Sequence, residues 1–226
     1  FNNSISFENV SFSYPSSNKS VLNNISIDFK KGDYVGIVGG SGAGKSTMID
    51  LLIGLYNPTN GCIKIDNINL LDCKKSWQNK IGYVPQNIYL FDDTILNNIA
   101  FGIPTDEINL EKLRTALIEA ELFDFVESLP DGLNTKLGER GSRLSGGQKQ
   151  RIGIARALYN NPSIIIFDEA TNSLDKLTEK KIIESIDKLK GVRTIISITH
   201  NTSTISKCDK IYEINSGILH EIKYTI

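Results

Sequence analysis

The chain is poor in the residues that build metal and disulfide sites. It holds three cysteines, Cys62, Cys73 and Cys208, among 226 residues, and no two of them share a C-x-x-C spacing. An odd, scattered set with no leading signal segment reads as free thiols in a reducing compartment. Two histidines, His200 and His220, nearly exclude a multi-histidine metal centre. Long hydrophobic runs are missing as well: Ile164–Phe167 is among the longest and has four residues. A bilayer span needs roughly 20, so the chain by itself cannot cross a membrane. Nor is there an excess of one charge. Lys plus Arg is 25 and Asp plus Glu is 26, a net charge of −1. A general duplex-DNA binder carries a basic surplus or stripe, so no nucleic-acid partner is expected. What remains is ordinary globular composition, 40% hydrophobic and 23% charged, in a length that suits one large domain or two small lobes. Such a chain can bury a core without staples. It opens Phe1-Asn2-Asn3 with no Met, which reads as a fragment whose missing part lies upstream.

Hydrophobic periodicity divides the chain. Ile5, Phe7, Val10 and Phe12 punctuate polar residues up to Tyr14-Pro15, and residues 21–29 alternate again, so two strands are expected. Residues 34–38 form a short apolar run suited to a buried strand. A glycine-rich loop follows at 39–46, and a helical stretch runs over 47–55. Asn60-Gly61 and Asp66-Asn67 bracket a small hairpin, and 81–84 is a strand stopped by Pro85-Gln86. Leu110, Leu113, Leu117, Ala120 and Phe123 are spaced by three to four, which makes 88–160 a mostly helical insertion. Strands at 163–167, 193–199 and 210–214, a helix at 178–189, and a turn at 215–217 into a last strand complete an α/β pattern.

Gly39-x-x-x-x-Gly44-Lys45-Ser46 fits the P-loop pattern, with a strand before it and a helix after it. Gly39, Gly40, Ser41, Gly42, Ala43 and Gly44 would turn backbone N–H groups toward a phosphate chain. The helix start beyond them, through Thr47, adds its positive end. Lys45 should reach the β- and γ-phosphates, and the Ser46 hydroxyl should hold Mg²⁺. The second Mg²⁺ group expected of such a site is Asp168, which ends the apolar run from Ile164. A buried parallel strand would place it at the carboxyl edge of the sheet, where ligands bind. Asp168 would bind the cation directly or through water, and the adjacent Glu169 would accept a proton from the attacking water. The plainer alternative is a surface acidic pair.

Leu144-Ser145-Gly146-Gly147-Gln148 precedes a second helical stretch, with Ser145 as a strong N-cap. Taken singly, it is a cap. Followed by Lys149-Gln150-Arg151 and Ala155-Arg156-Ala157-Leu158, it resembles the signature of ATP-binding cassette proteins, and the resemblance spans nearly the whole chain. That family implies an α/β P-loop NTPase core (RecA-like, mostly parallel sheet), an N-terminal antiparallel β subdomain and an inserted α-helical subdomain. The 226 residues then form a single nucleotide-binding domain, with its helical part at about 88–160. By the same resemblance Tyr14 stacks on adenine, Gln86 touches Mg²⁺ or the attacking water, Asp175 belongs to the D-loop, and His200 contacts the γ-phosphate. Ser145, Gly146, Gly147 and Gln148 act on the ATP of a second copy in a head-to-tail dimer. Two family positions differ: Asn201 stands where Arg is common and Asn172 where Ser is common. Neither does chemistry, so a competent ATPase is expected, with ATP and Mg²⁺ as cofactors.

Gly138-Glu139-Arg140-Gly141 resembles the X-loop of exporter-type cassettes, whose membrane domain commonly lies upstream on the same chain. This places the chain on the cytoplasmic face of the inner membrane, driving transmembrane domains. Residues 75–95 resemble exporters of lipid-linked oligosaccharides or polysaccharides, while peptide and lipid exporters share much of the same stretch. A soluble cassette ATPase of DNA repair or translation and a scaffold without turnover are the competing readings.

Overall fold

The structure, a computed structural model, describes residues 1–15, 19–170 and 176–223. They form two compact units, residues 1–81 with 190–226 and residues 82–189.

The first unit opens with an antiparallel sheet of order β2-β1-β4-β5, built from β1 (Ser4–Ser13), β2 (Ser20–Lys30), β4 (Asn60–Ile65) and β5 (Ile68–Asn69). A strict period of two would put either the odd or the even positions of β1 inward. Both parities are buried here: Ile5 and Phe7, then Val10 and Phe12. The register slips between Phe7 and Val10, where Asn9 takes a left-handed φ of 50°. The partner strand slips one step further on, opposite Val10–Phe12, with Asn24 at φ 49° between Leu22 and Ile25. These paired bulges return each apolar side chain to one face. Ser26 Oγ accepts from the Asn9 N–H and Ser11 Oγ accepts from the Asn24 N–H, so the bulged amides stay bonded. Gly61 passes under this bulge with φ 77°, and a Cβ there would collide with the Glu8 and Asn9 carbonyls.

The same unit carries β3 (Tyr34–Val38), flanked in parallel by β8 (Thr194–Ile198) and β9 (Lys210–Asn215), with β10 (Ile218–Ile222) antiparallel to β9. Every residue of β8 is buried, the pattern of a strand covered on both faces. Helix α1 (Lys45–Ile53) follows β3. Residues 70–78, where periodicity places no element, form α2 (Leu70–Gln78). Asn69 caps α2 by accepting from the Leu71 N–H, and Trp77 anchors it by donating from its ring nitrogen to the Leu52 carbonyl at 2.8 Å. Helix α8 (Thr202–Ile205) precedes β9.

The second unit holds β6 (Ile81–Val84) beside β7 (Ile164–Asp168), and the helices α3 (Ile95–Ile99), α4 (Leu110–Glu119), α5 (Phe123–Glu127), α6 (Gly146–Leu158) and α7 (Lys176–Lys188). The periodic stretch from Leu110 to Phe123 is interrupted between α4 and α5 because Glu121 turns left-handed at φ 53°. Leu113, Ala116, Leu117, Ala120, Leu122 and Val126 are all buried across that corner. Among the described residues no helix is long and apolar enough to cross a membrane.

Two stability measurements test this packing. Gly61→Ala should lower the urea midpoint by the equivalent of about 1–3 kcal/mol, because it meets both a left-handed φ and a backbone collision. Gly191→Ala has φ 79° with open space around it and should cost less, about 1 kcal/mol. Equal losses would mean that the β1 bulge yields. The second test concerns Asp66. Burial works to raise its pKa, but N–H bonds from Asn3, Asn2 and Ser4 outweigh that and hold it below the ordinary carboxylate value. A depressed carboxylate stabilises the fold above its unfolded pKa of about 3.9, and that stability fades as pH falls through the lower folded value. Asp66→Asn should therefore show its largest melting-temperature deficit near neutral pH, and the gap should close below about pH 4.

Candidate nucleotide site

Within the first unit, the glycine loop leaves β3 at Gly39. The parallel register pairs Val38 with Glu213, which brings Gly39 alongside Ile214. A Cβ at Gly39 would strike the Ile214 carbonyl, and the residue sits at φ 149°. Gly44 is tight for the same kind of reason: a Cβ would lie 2.7 Å from Leu22 Cδ2 and 3.1 Å from the Val21 carbonyl. Gly40 and Gly42 face open space. The loop is thus pinned at both ends and open in the middle, at Gly40, Ser41 and Gly42, which are exposed. Helix α1 starts at Lys45 with Gly44 as N-cap and no side-chain cap, so no side chain bonds the amides of its first turn there. Lys45 is buried, and its Nζ donates to the Gly39 and Gly40 carbonyls at 2.7 and 2.9 Å. The ammonium therefore lies over the loop itself. Ser46 is exposed beside it, and Ala43 is half-buried. Tyr14 Oη and Thr47 Oγ1 share a hydrogen bond of 3.0 Å, and the Tyr14 ring meets Phe12 and Tyr56 edge to face. His200, also in this unit, is exposed just beyond β8. Asn201 acts locally, since its Oδ1 accepts from the Ser203 N–H and caps α8.

Within the second unit, the structure brings Gln86 and Glu169 together. Gln86 Nε2 donates to Glu169 Oε2 at 2.8 Å. Glu169 has φ 50°, an uncommon conformation for a residue with a side chain, costing of order 1 kcal/mol. Strand β7 delivers Asp168 to its carboxyl end, half-buried, after four fully buried apolar residues. Tyr83 on β6 donates from its hydroxyl to Asp168 Oδ2 at 3.1 Å. No motif in the sequence singles out Tyr83. Its one signal is the strand alternation, which leaves Tyr83 exposed while Gly82 and Val84 are buried.

The second glycine helix start is a full capping box on α6. Ser145 Oγ accepts from the Gln148 N–H at 3.3 Å, and Gln148 Oε1 accepts from the Ser145 N–H at 2.8 Å. An accepting hydroxyl still has its proton to donate, so capping and phosphate binding are compatible at Ser145. Ser145 and Gly146 are exposed and Gly147 is half-buried. Gly138 and Gly141 enclose a 3₁₀ turn over Glu139–Gly141, with Arg140 left-handed at φ 51°. Asp175 lies outside the described residues. Among those described, no group of three or more His, Cys, Asp or Glu side chains could hold a metal ion. Ser46 in the first unit and Asp168 in the second each carry the kind of oxygen donor that a hard cation such as Mg²⁺ takes.

Residues 22–172 match the ABC transporter family. The ATP-dependent lipid A-core flippase of Coxiella burnetii is 46% identical over 218 residues, 96% of this chain and 37% of the flippase. Multidrug resistance protein 1 of Entamoeba histolytica is 43% identical over 220 residues, 96% of this chain and 17% of that protein. A solved structure of a bacterial Atm1-family ABC exporter with ATP bound superposes with a TM-score of 0.89 at 41% identity, covering 97% of this chain and 38% of the other. The chain belongs to the ABC transporter family. It is a nucleotide-binding ATPase domain of the exporter type, with the P-loop NTPase fold and an antiparallel N-terminal sheet. It spans well under half the length of these relatives.

The capping box yields its own prediction. Ser145→Ala should cost about 1 kcal/mol of unfolding free energy, whereas Ser145→Asp, which keeps an N-cap acceptor, should stay within about 0.5 kcal/mol of wild type. Denaturant titration of both variants checks it.

Proposed function

We propose that this chain is the motor of a membrane exporter and that it hydrolyses ATP between two copies of itself. One observation carries the proposal. A single chain presents two helix starts suited to phosphate, one at the glycine loop before α1 and one at the capped Ser145-Gly146-Gly147 turn of α6. In this reading Gly39 to Thr47 hold the phosphates, Tyr14 stacks on adenine, and Lys45 moves from its loop carbonyls to the β- and γ-phosphates. Ser46, Asp168 and Gln86 would hold Mg²⁺, which would supply charge neutralisation. Glu169 takes the proton of the attacking water, and His200 donates to the γ-phosphate. Ser145, Gly146, Gly147 and Gln148, with Asp175, contact the nucleotide of the second copy. Binding then joins two domains head to tail, and hydrolysis parts them.

The partner in this reading is a transmembrane domain on the same polypeptide, at the cytoplasmic face of the membrane. The relatives named above are longer than this chain, and two of them are a flippase and an exporter by name. The exposed Tyr89 and Phe91 flank Leu90, whose side chain lies against Gly141, and with the exposed Phe101 they supply apolar surface in keeping with such a partner. The cargo retained here is a lipid-linked saccharide, consistent with a flippase among the relatives.

Phosphate release from Mg-ATP tests the proposal. Lys45→Ala should abolish turnover. Glu169→Gln should lower it at least about a hundredfold while preserving ATP binding, and should accumulate an ATP-dependent dimer by light scattering. Wild-type turnover in Glu169→Gln would remove Glu169 from the role of base.

A further inference from the structure

Beside the Gln86–Glu169 pair, the second unit contains a buried polar cluster that the ATPase chemistry does not use. Asn98 on α3 is fully buried. Its Oδ1 accepts from the Phe91 N–H at 2.9 Å, and its Nδ2 donates to the Phe91 and Thr94 carbonyls at 3.1 and 3.0 Å. Arg156, in the third turn of α6, reaches the same residue. Its Nε donates to the Asn98 carbonyl at 2.7 Å, one terminal nitrogen donates to Asn98 Oδ1 at 3.2 Å, and the other donates to the Tyr89 carbonyl at 3.0 Å. The guanidinium also lies 5.6 Å from the centroid of the Phe101 ring. Three planar donors on three acceptors define one orientation, which Lys cannot reproduce.

Two further contacts hold the same segment, the first of them on α6. Ile88 packs so closely on Gly153 that a Cβ there would collide with it, and Gly153 lies one turn before Arg156. Gln86, two residues before Ile88, bonds Glu169. At the far side of the segment the aromatics are out in solvent: Tyr89 is 57%, Phe91 41% and Phe101 56% exposed. Phe91 and Phe101 stack face to face at 4.7 Å, and Tyr89 meets Phe91 edge-on at 5.1 Å. The segment from Gln86 to Phe101 is therefore tied to Glu169 at one end. It displays an aromatic stack at the other, and it is clamped in between to the helix that begins at Ser145.

We propose that Arg156 and Asn98 are a positioning pair that locks the exposed Tyr89–Phe91–Phe101 stack to α6, so that the stack and the Ser145-Gly146-Gly147 turn move as one body when nucleotide binds. This rests on the proposed function, in which that turn contacts ATP. Neither residue touches nucleotide; both act through the backbone they hold. A stiff polar clamp transmits displacement where an apolar contact would slip, because each of its hydrogen bonds has a direction and little tolerance for departure from it.

Hydrogen–deuterium exchange on the chain carrying Glu169→Gln, with and without Mg-ATP, tests the pair. With the clamp intact, peptides covering 88–101 and 145–150 should both slow on the order of tenfold, with one common ATP midpoint. Adding Arg156→Lys should leave the slowing at 145–150 and reduce that at 88–101 to less than about twofold. Loss of packing alone would instead speed exchange at 88–101 without ATP and would leave its response to ATP in place. An equal ATP response at 88–101 in both proteins overturns the proposal. So do two different midpoints in the clamped protein, a measurement that needs no clamp variant and holds even if Arg156→Lys does not fold. No ATP response at 145–150 in the clamped protein also overturns it, and that result traces the failure to the dimer reading rather than to the clamp.

Discussion

The glycine loop of this chain depends on one steric constraint: at Gly39 the backbone runs against the carbonyl of Ile214 with no room for a side chain. The parallel pairing of β3 with β9 sets that contact, since Val38 opposite Glu213 forces the next residue onto Ile214. The loop therefore leaves the sheet along a fixed direction and enters α1 at Gly44, which is itself wedged against Val21 and Leu22. Between these two pins Gly40, Ser41 and Gly42 stand open. A phosphate-binding loop has to present amides without collapsing onto itself, and pinning its ends at the sheet and at β2 meets both needs. Lys45 adds a second device. Its ammonium is held by the loop's own carbonyls, so the charge is stationed at the loop.

The second unit divides its polar groups differently. The acidic pair sits at the end of a wholly apolar strand, and each member has a neighbour that orients it: Tyr83 for Asp168 and Gln86 for Glu169. Glu169 adopts its left-handed turn at that strand end, where a strained φ commonly accompanies a functional side chain. Helix α6 carries two jobs on one rigid rod. Its first turn is capped by Ser145 and Gln148, and its third turn holds Arg156 against Asn98. A helix of 13 residues transmits displacement along its axis far better than a loop does.

Much of this was legible before any coordinates, because backbone chemistry leaves local marks. Alternation marks β1 and β2, the apolar run marks β7, and Ser145 before two glycines marks the start of α6. The resemblance to ATP-binding cassettes rests on motifs that demand particular residue types at particular spacings. Other features left no such mark. Helix α2 buries only Leu70 and Trp77 and carries a kink at Cys73, so it has no apolar stripe to read. The stretch from Leu110 to Phe123 keeps a helical spacing through its break, and only the left-handed Glu121 lets Ala120 and Leu122 both turn inward, since two positions apart on a continuous helix they would face opposite ways. The paired bulges at Asn9 and Asn24 show only as a change of parity, and Tyr83, Asn98 and Arg156 lie among unremarkable neighbours.

By itself the sequence determined the family and the order of the motifs. Each of those follows from the chemistry of a few contiguous residues. Tertiary structure alone decided which groups hold one another. Gly39 is crowded by a residue 175 positions away, Tyr83 reaches Asp168 across 85, and Arg156 reaches Asn98 across 58. Close packing is what selects those pairs: a hydrogen bond needs its partner within about 3 Å and in line, and only the folded chain brings distant residues that near.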